Sequence, residues 1–391
     1  MAMKRKRKKR LTALVLCGGF YTAWFVSAAC GRQAGHAVFP FPQISMEDRS
    51  VDDRAASDNS IDDRAVAVNS IDDRAIPRYT STSFRYPELF ERTLDHYGDF
   101  QKLYRPELSA AVPGLAYTRF TDSSSSQMVP QGICLAGEYM LVTAYDRERR
   151  SNSVIYVMTR ETDGSWRLLT VLELPEKNHV GGIAFDGTNI WIARSTSGYV
   201  SSISYETLKA AAYGGQSCRL QAYERNIYLG VTASFVTYYK GRLWVGTYRT
   251  ILTGPGSLSV YRIEETEEGL RLRLEAILEI PVYVQGAQFL ERGKAVYLIM
   301  AASSGRYADS RIYLYQMAGQ EQAEPRLLHQ YRFPPMAETL CSDGQTTYFL
   351  FESAATCYST LQYQKCPYPV DRICGVPNGQ LLEGKRLWDP R

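Results

Sequence analysis

The chain of 391 residues has little net charge and few segments that favour helices. Its formal charge at pH 7 is only +4, and seven of its 45 Lys and Arg residues lie in the first ten positions, so the chain from Tyr79 onward is about neutral. A neutral body lacks the basic face that nucleic-acid binding requires. Runs of Ala, Glu and Lys are scarce, whereas tyrosine is common at 28 residues, and this balance favours β-strands.

Sequence signatures of metal binding and of serine hydrolases are also missing. No Cys-x-x-Cys spacing occurs, which argues against zinc, and no Gly-x-Ser-x-Gly segment surrounds any serine. A Ser-His-Asp triad can be assembled on paper from Ser195, His179 and Asp146, but Ser195 lacks this surrounding segment. The sequence therefore predicts no metal site, and it leaves any cofactor unknown.

Residues 1–30 have the layout of a signal peptide or membrane anchor. A basic cluster at 4–10 precedes an uncharged apolar run at 11–30, and about 20 such residues are enough to cross a bilayer. Three outcomes remain open: cleavage behind the small residues 26–28, lipidation at Cys30, or an uncleaved anchor. We expect the rest of the chain outside the bacterial cytoplasmic membrane, either secreted or held at its outer side by this segment alone.

Residues 31–80 contain an acidic decapeptide in tandem, with Ser-Val/Ile-Asp-Asp-Arg-Ala beginning at positions 50, 60 and 70. A period of ten matches neither a solenoid nor a heptad, and its isolated Val and Ile residues cannot form a buried face. This segment is predicted to be a disordered spacer. A metal site at its Asp pairs is disfavoured because nothing fixes the ligands. Residues 81–110, with apolar residues among charges, predict a short helical lead-in.

From Val129 onward the chain repeats at intervals of 50 to 52 residues. Each repeat begins with a small residue before an apolar run, at Gly132, Gly182, Ser234, Gly286 and Ala337. Each then has a glycine in a hairpin-turn context, at Gly137, Gly187, Gly241, Gly293 and Gly344. Four apolar strands fit into each repeat, which is typical of a β-propeller. The sequence predicts an all-β, five-bladed β-propeller with four-stranded blades over residues 111–391.

Two details of the repeats are also predicted. The second repeat has a candidate fourth strand at 218–223. The fifth repeat lacks a fourth strand of its own, and because an exposed edge must be covered, we expect residues 112–120 to pair there and close the ring.

The repeats contain strings that resemble an uncharacterised family of exported bacterial β-propeller proteins, secreted or membrane-attached. The strings lie at 128–134, 152–157, 179–184, 233–239, 284–286, 335–338 and 351–355. The resemblance covers about residues 111–376 and implies the fold and the location. It implies no catalytic residues.

Equal phase in a closed propeller places residues at one height around one axis, so the mouth of the axis should collect polar groups from several blades. The predicted ligand-binding residues lead into first strands (Gln131, His179, Gln285, Glu338) or leave second strands (Tyr145, Arg194, Tyr248, Glu352). Blade 3 presents Ala233 and Ser234 instead, which would open that side.

The residue types at this mouth support three classes of function. Tyr, Gln and Arg suit the binding of a glycan, peptide or other small molecule, which is the leading hypothesis. Glu338, Glu352 and His179 are candidate catalytic residues of a hydrolase acting on a glycoside, lactone or phosphoester. The alternative structural roles are a histidine that holds its loop, and glutamates that accept backbone hydrogen bonds or pair with Arg194 or Arg372. A cell-envelope scaffold is the third class, and whether the protein is an enzyme stays open.

The cysteines beyond the targeting segment are Cys134, Cys218, Cys341, Cys357, Cys366 and Cys374. Export permits disulfides. Cys357 and Cys366 lie nine residues apart in one mouth loop, so they are the expected pair.

Overall fold

A computed structural model describes residues 35–37, 79–267, 269–317, 325–359 and 365–383. All described residues belong to one compact unit. The predicted signal or anchor segment and the decapeptide repeats lie outside the described residues. Within those ranges, no helix is long and apolar enough to cross a membrane.

The described chain forms five antiparallel four-stranded blades, which confirms the predicted five-bladed propeller. From the axis outward, blade 1 consists of Met128–Ala136, Tyr139–Asp146, Val154–Arg160 and Trp166–Glu173; blade 2 of Val180–Phe185, Asn189–Arg194, Tyr199–Ser204 and Arg225–Tyr228; blade 3 of Phe235–Tyr239, Arg242–Thr247, Gly256–Thr266 and Gly269–Ile280; blade 4 of Val284–Arg292, Ala295–Ala302, Ser310–Met317 and Arg326–Phe333; blade 5 of Ala337–Ser342, Thr346–Phe351, Arg372–Pro377 and Ala110–Ala111. The innermost strand of each blade contacts those of both neighbours, so the blades form a ring.

The turns between first and second strands show how the repeat pattern specifies the blades. All five predicted turn glycines adopt positive φ angles, from 58° to 99°. Glycine reaches this region without a steric penalty, whereas other residues are strained there. Each blade therefore begins with a tight hairpin, as the sequence predicts.

The apolar core is divided into five clusters, one between each pair of adjacent blades. Successive residues of a second strand face opposite clusters, as the period of two requires. Ile192 lies between blades 1 and 2, and Trp191 between blades 2 and 3. Phe289 lies between blades 3 and 4. Phe349 lies between blades 4 and 5, and Tyr348 between blades 5 and 1. Every blade is thus buried on both faces.

The ring is closed by the segment that precedes blade 1. Ala110 and Ala111 pair with Ile373 and Arg372 and supply the fourth strand of blade 5. The prediction of closure by residues 112–120 is therefore wrong in position, because Pro113 and Gly114, which has φ 78°, end the strand. The next residues form a separate hairpin, Thr118–Arg119 with Ser124–Ser125.

The outer strand of blade 2 also differs from its prediction. The fourth strand is Arg225–Tyr228, whereas Ser217–Arg219, inside the predicted 218–223 segment, pairs in parallel with the outer strand of blade 1. The reason is an inserted helix, Tyr205–Tyr213, whose N-cap Ser204 accepts a hydrogen bond from the Thr207 amide. This helix carries the chain back across to the edge of blade 1.

The remaining elements precede blade 1, follow strands of blade 5 or pair with the edge of blade 3. They are the helices Pro87–His96 and Gly98–Leu103, the 3-10 helix Pro106–Leu108, the helices Thr356–Ser359 and Asn378–Glu383, and the edge strand Gly35–Ala37 parallel to Gly269–Ile280. The first two helices pack Phe90 and Phe100 into the cluster between blades 4 and 5.

The axis is narrow because glycine lets the inner strands touch. A Cβ added to Gly182 would lie 2.7 Å from the Val236 amide nitrogen and 2.8 Å from the Phe235 Cα of blade 3. One added to Gly286 would lie 2.7 Å from the Thr339 Cα of blade 5. These positions are the repeated small residues of the sequence, which therefore set the inner radius of the ring.

We expect Gly182→Ala to lower the free energy of unfolding by roughly 1–3 kcal/mol, because backbone of blade 3 blocks the new methyl group. Gly379→Ala is the matched control, since nothing lies within 4 Å of its added Cβ and the residue sits in a helix. Urea unfolding measures both. Wild-type stability in Gly182→Ala would contradict the close contact between blades 2 and 3.

Candidate functional site

The ladder between first and second strands is interrupted at the same phase in four of the five blades. The register shifts lie at 130–133 in blade 1, at 193–194 opposite Gly181 in blade 2, at 284–286 in blade 4 and at 337–340 in blade 5. Such bulges re-aim a side chain. Gln131, Gln285 and Glu338 are bulge residues, and His179 lies two residues before the bulge residue Gly181 of blade 2.

Gln131 connects three blades through its amide. Its Nε2 donates to Glu352 Oε2 at 2.8 Å and to the Pro130 carbonyl at 2.9 Å, and its Oε1 faces His179 Nε2. Both partners of Nε2 are acceptors, so the orientation of the amide is fixed. Gln131 is only 3% exposed. The site therefore contains a continuous polar chain from blade 2 through blade 1 to blade 5.

Glu338 and Glu352 form a hydrogen-bonded pair of carboxyl groups. Glu338 is buried at 3% exposure, and Glu352 is partly exposed. Burial raises the pKa of Glu352 to about 7 and, together with the charge of Glu352, raises the pKa of Glu338 well above its ordinary value. Two adjacent carboxylates cannot both ionise at low cost, so the pair holds a proton on Glu338 and Glu352 accepts from it.

His179 is a neutral side chain with one nitrogen available. Its burial, followed by the charges of Arg147 and Arg149, lowers its pKa to about 4. Because Nε2 faces the acceptor Oε1 of Gln131, Nε2 carries the hydrogen and Nδ1 keeps a lone pair. The ring packs on Tyr145 with centroids 4.4 Å apart. No described residue hydrogen-bonds Nδ1, so it can accept from a ligand.

Three residues that repeat phase does not predict also surround Glu352. Arg147 and Arg306 both lie close enough to lower the pKa of Glu352, and the charge of Glu352 raises the pKa of Tyr358. Arg147 and Arg306 lie on loops that follow second strands, and Tyr358 lies in the helix Thr356–Ser359 after the second strand of blade 5. Their position after second strands is the one feature of the sequence that points to them. Because these segments differ in length from blade to blade, their residues do not recur at a fixed position of the repeat.

Several predicted site residues lie elsewhere or have structural partners. Arg194 pairs with Glu176, with the Arg194 Nε 2.7 Å from Oε2, and also bonds Asn226. Tyr248 packs 6.1 Å from Tyr283 at the border of blades 3 and 4. Gln285 is partly exposed in its bulge, and no described residue hydrogen-bonds its side chain. The structure thus brings together Gln131, Tyr145, His179, Glu338 and Glu352.

The alternatives considered from the sequence can also be located. Ser195 donates its hydroxyl to the Ser234 carbonyl at 3.4 Å, and Asp146 accepts from the amides of Glu148 and Ser151, so the paper triad is not assembled. Arg372 pairs with Asp371 rather than with either glutamate of the mouth. Among the described residues, no group of three or more His, Cys, Asp or Glu side chains is placed to hold a metal.

The expected Cys357–Cys366 disulfide is not formed in this structure, where both are free thiols. Cys366 instead directs its Sγ at the Arg306 carbonyl, 3.5 Å away. Burial raises the pKa of each thiol to about 12, so both are protonated at neutral pH. The mouth loop is therefore held to blade 4 by a weak hydrogen bond and by packing.

We expect the stability of the wild type, relative to Glu338→Gln/Glu352→Gln, to fall as pH rises from about 4.5 to about 7. The folded pair keeps protons that the unfolded chain releases in this window, so each retained proton costs about 1.4 kcal/mol per pH unit. His179 is present in both proteins and cancels. Urea unfolding at pH 4, 5, 6 and 7 gives the difference, and a pH-independent difference would contradict the shared proton.

No family model matches the sequence, and no curated protein matches it. Among solved structures, the chain is similar to a glutaminyl cyclase of Myxococcus xanthus at 10% identity and TM-score 0.38, over 68% of this chain and 95% of that one. It is similar to an exo-β-1,3-galactanase of Phanerochaete chrysosporium at 9% and 0.41, over 69% and 64%. A thermostable family-43 glycoside hydrolase gives 8% and 0.38, over 64% and 88%. At these values the similarities carry no argument about the site.

Proposed function

We propose that this protein is an extracytoplasmic propeller that binds a small polar ligand, such as a sugar or a peptide, at the axial mouth. The observation that carries the proposal is the proton-sharing Glu338–Glu352 pair, joined through Gln131 to His179. These groups come from three blades and converge at one end of the axis. The lone pair on His179 and the partly exposed Glu352 offer acceptors to a ligand.

The energetics of the pair support a role in binding rather than in folding. One buried and one partly buried carboxyl group with raised pKa values reduce stability at neutral pH, and apolar residues would fill the same space without that cost. Five apolar clusters between the blades already stabilise the ring. Groups that oppose folding but converge at one place are typical of functional sites.

A hydrolase is the second candidate, and the shared proton favours it. Glu338 would donate the proton and Glu352 would activate water, as in paired-carboxyl enzymes. Glycoside hydrolysis requires carboxyl groups roughly 5–9.5 Å apart, whereas these two are in direct hydrogen-bond contact. A lactone or phosphoester substrate therefore fits this candidate better than a glycoside.

The location rests on the sequence of residues 1–30. The basic cluster and the apolar run support export, with secretion, lipidation at Cys30 and an uncleaved anchor as the three routes. Labelling of Cys30 by a radioactive fatty acid would select the second route. A role as a cell-envelope scaffold would instead appear as stable co-purification with another exported protein and an unoccupied mouth.

We expect the purified chain to bind at least one member of a glycan and peptide library, with affinity reduced tenfold or more in Glu338→Gln. The substitution keeps the volume but removes the shared proton. Asp163→Asn, an exposed turn residue, is the control and should bind as the wild type does. Calorimetric titration gives the affinities. Binding that is equal in Glu338→Gln and wild type would exclude the pair from the site.

Catalysis is assayed on the wild type, Glu338→Gln and Asp163→Asn. Turnover of a lactone or phosphoester that disappears in Glu338→Gln but persists in Asp163→Asn would replace binding with hydrolysis as the function.

A further inference from the structure

Arg306 has a buried nitrogen for which no described residue supplies a hydrogen-bond acceptor. It lies on the loop between the second and third strands of blade 4, and its Nε is inaccessible to solvent. The guanidinium carbon lies 5.4 Å from the centroid of the Tyr358 ring. An unpaired buried donor is costly, so it marks a place where an acceptor belongs.

The backbone holds Arg306 in this place. Gly305, with φ 105°, adopts a conformation that other residues rarely reach and turns the loop just before Arg306. The carbonyl of Arg306 faces the Sγ of Cys366 at 3.5 Å. The backbone of Arg306 is therefore fixed by the turn at Gly305 and by its contact with Cys366.

Arg147 adds a second guanidinium near the same carboxyl pair. Both arginines act electrostatically on Glu352 and on Cys357. Neither forms an ion pair with any described carboxylate, and residues 360–364, which complete the adjacent loop, contain no Asp or Glu. Because the proton on Glu338 leaves one negative charge in the pair, the two arginines give the mouth an excess of positive charge.

We propose that Arg306 and Arg147 form an oxyanion subsite beside Glu352, so that the ligand of the mouth carries a carboxylate or phosphate group. This proposal rests on the proposed binding function and names the class of ligand. The planar guanidinium matches both anions with paired hydrogen bonds. The neutral acid Glu338, the Gln131 amide and the His179 Nδ1 would then face the uncharged part of the ligand.

The test compares three probes that differ in one substituent: D-glucose, D-glucuronate and glucose 6-phosphate. Each is titrated calorimetrically into the full chain and into Arg306→Gln, Arg147→Gln and Arg150→Gln. Arg150→Gln is the matched control, because Arg150 lies in the same loop as Arg147, is 81% exposed and pairs with Glu148. Thermal unfolding verifies that each variant is folded. If Arg306→Gln does not fold, Arg147→Gln carries the test, because the side chain of Arg147 is exposed.

We expect at least one anionic probe to bind ten or more times tighter than D-glucose, with the preference lost in Arg306→Gln and Arg147→Gln and kept in Arg150→Gln. A preference for D-glucuronate identifies carboxylate as the anion, and one for glucose 6-phosphate identifies phosphate. Binding of D-glucose as tight as that of both anions overturns the subsite but leaves the binding function standing. Absence of binding by all three, with a neutral library compound bound at the mouth, also overturns it. If the whole library fails as well, the binding function falls with it.

Discussion

Closure of the ring depends on the contact that joins the segment before the strand Ala110–Ala111 to the last blade. Asp371 is fully buried and accepts hydrogen bonds from the amides of Arg85 at 2.6 Å and Tyr86 at 2.7 Å and from Arg372 Nε at 2.9 Å. The guanidinium of Arg372 lies 3.6 Å from the Phe90 ring centroid. One carboxylate thus fixes the N-terminal segment against the last blade, so that Ala110–Ala111 can complete its sheet.

Closure has a direct consequence for the mouth, because only in a closed ring does equal phase mean equal distance from the axis. The small residues at the start of each repeat let the inner strands touch, and the bulges beside them turn Gln131 and Glu338 toward one end. The apolar clusters stabilise the ring, while the carboxyl pair opposes folding at neutral pH. The residues that stabilise the ring are therefore different from those that form the site at the mouth.

The sequence predicts the features that recur at fixed spacing in the repeats, and it misses those that lie on segments of variable length. Glycine at fixed phase is a backbone requirement, so blade number, hairpin turns and the meeting of Gln131, His179 and Glu338 can be predicted from spacing. Arg147 and Arg306 lie on loops whose lengths vary from blade to blade, and their place depends on tertiary contacts. The helix Tyr205–Tyr213 is an insertion that has no counterpart in the other described repeats. The repeat pattern therefore predicts the segment 218–223 in blade 2, whereas Ser217–Arg219 pairs with blade 1.

The central claim is that the two kinds of buried carboxyl group have different roles: Asp371 stabilises the ring, and Glu338 serves the mouth. The most direct measurement is the free energy of unfolding at pH 7 for Asp371→Asn and Glu338→Gln. We expect Asp371→Asn to lose about 3 kcal/mol, because it leaves the Arg372 charge buried without its partner. We expect Glu338→Gln to be at least as stable as the wild type, since a neutral amide replaces a carboxyl group with a raised pKa. A loss in Glu338→Gln as large as that in Asp371→Asn would show that the pair holds the fold together, and would contradict the claim.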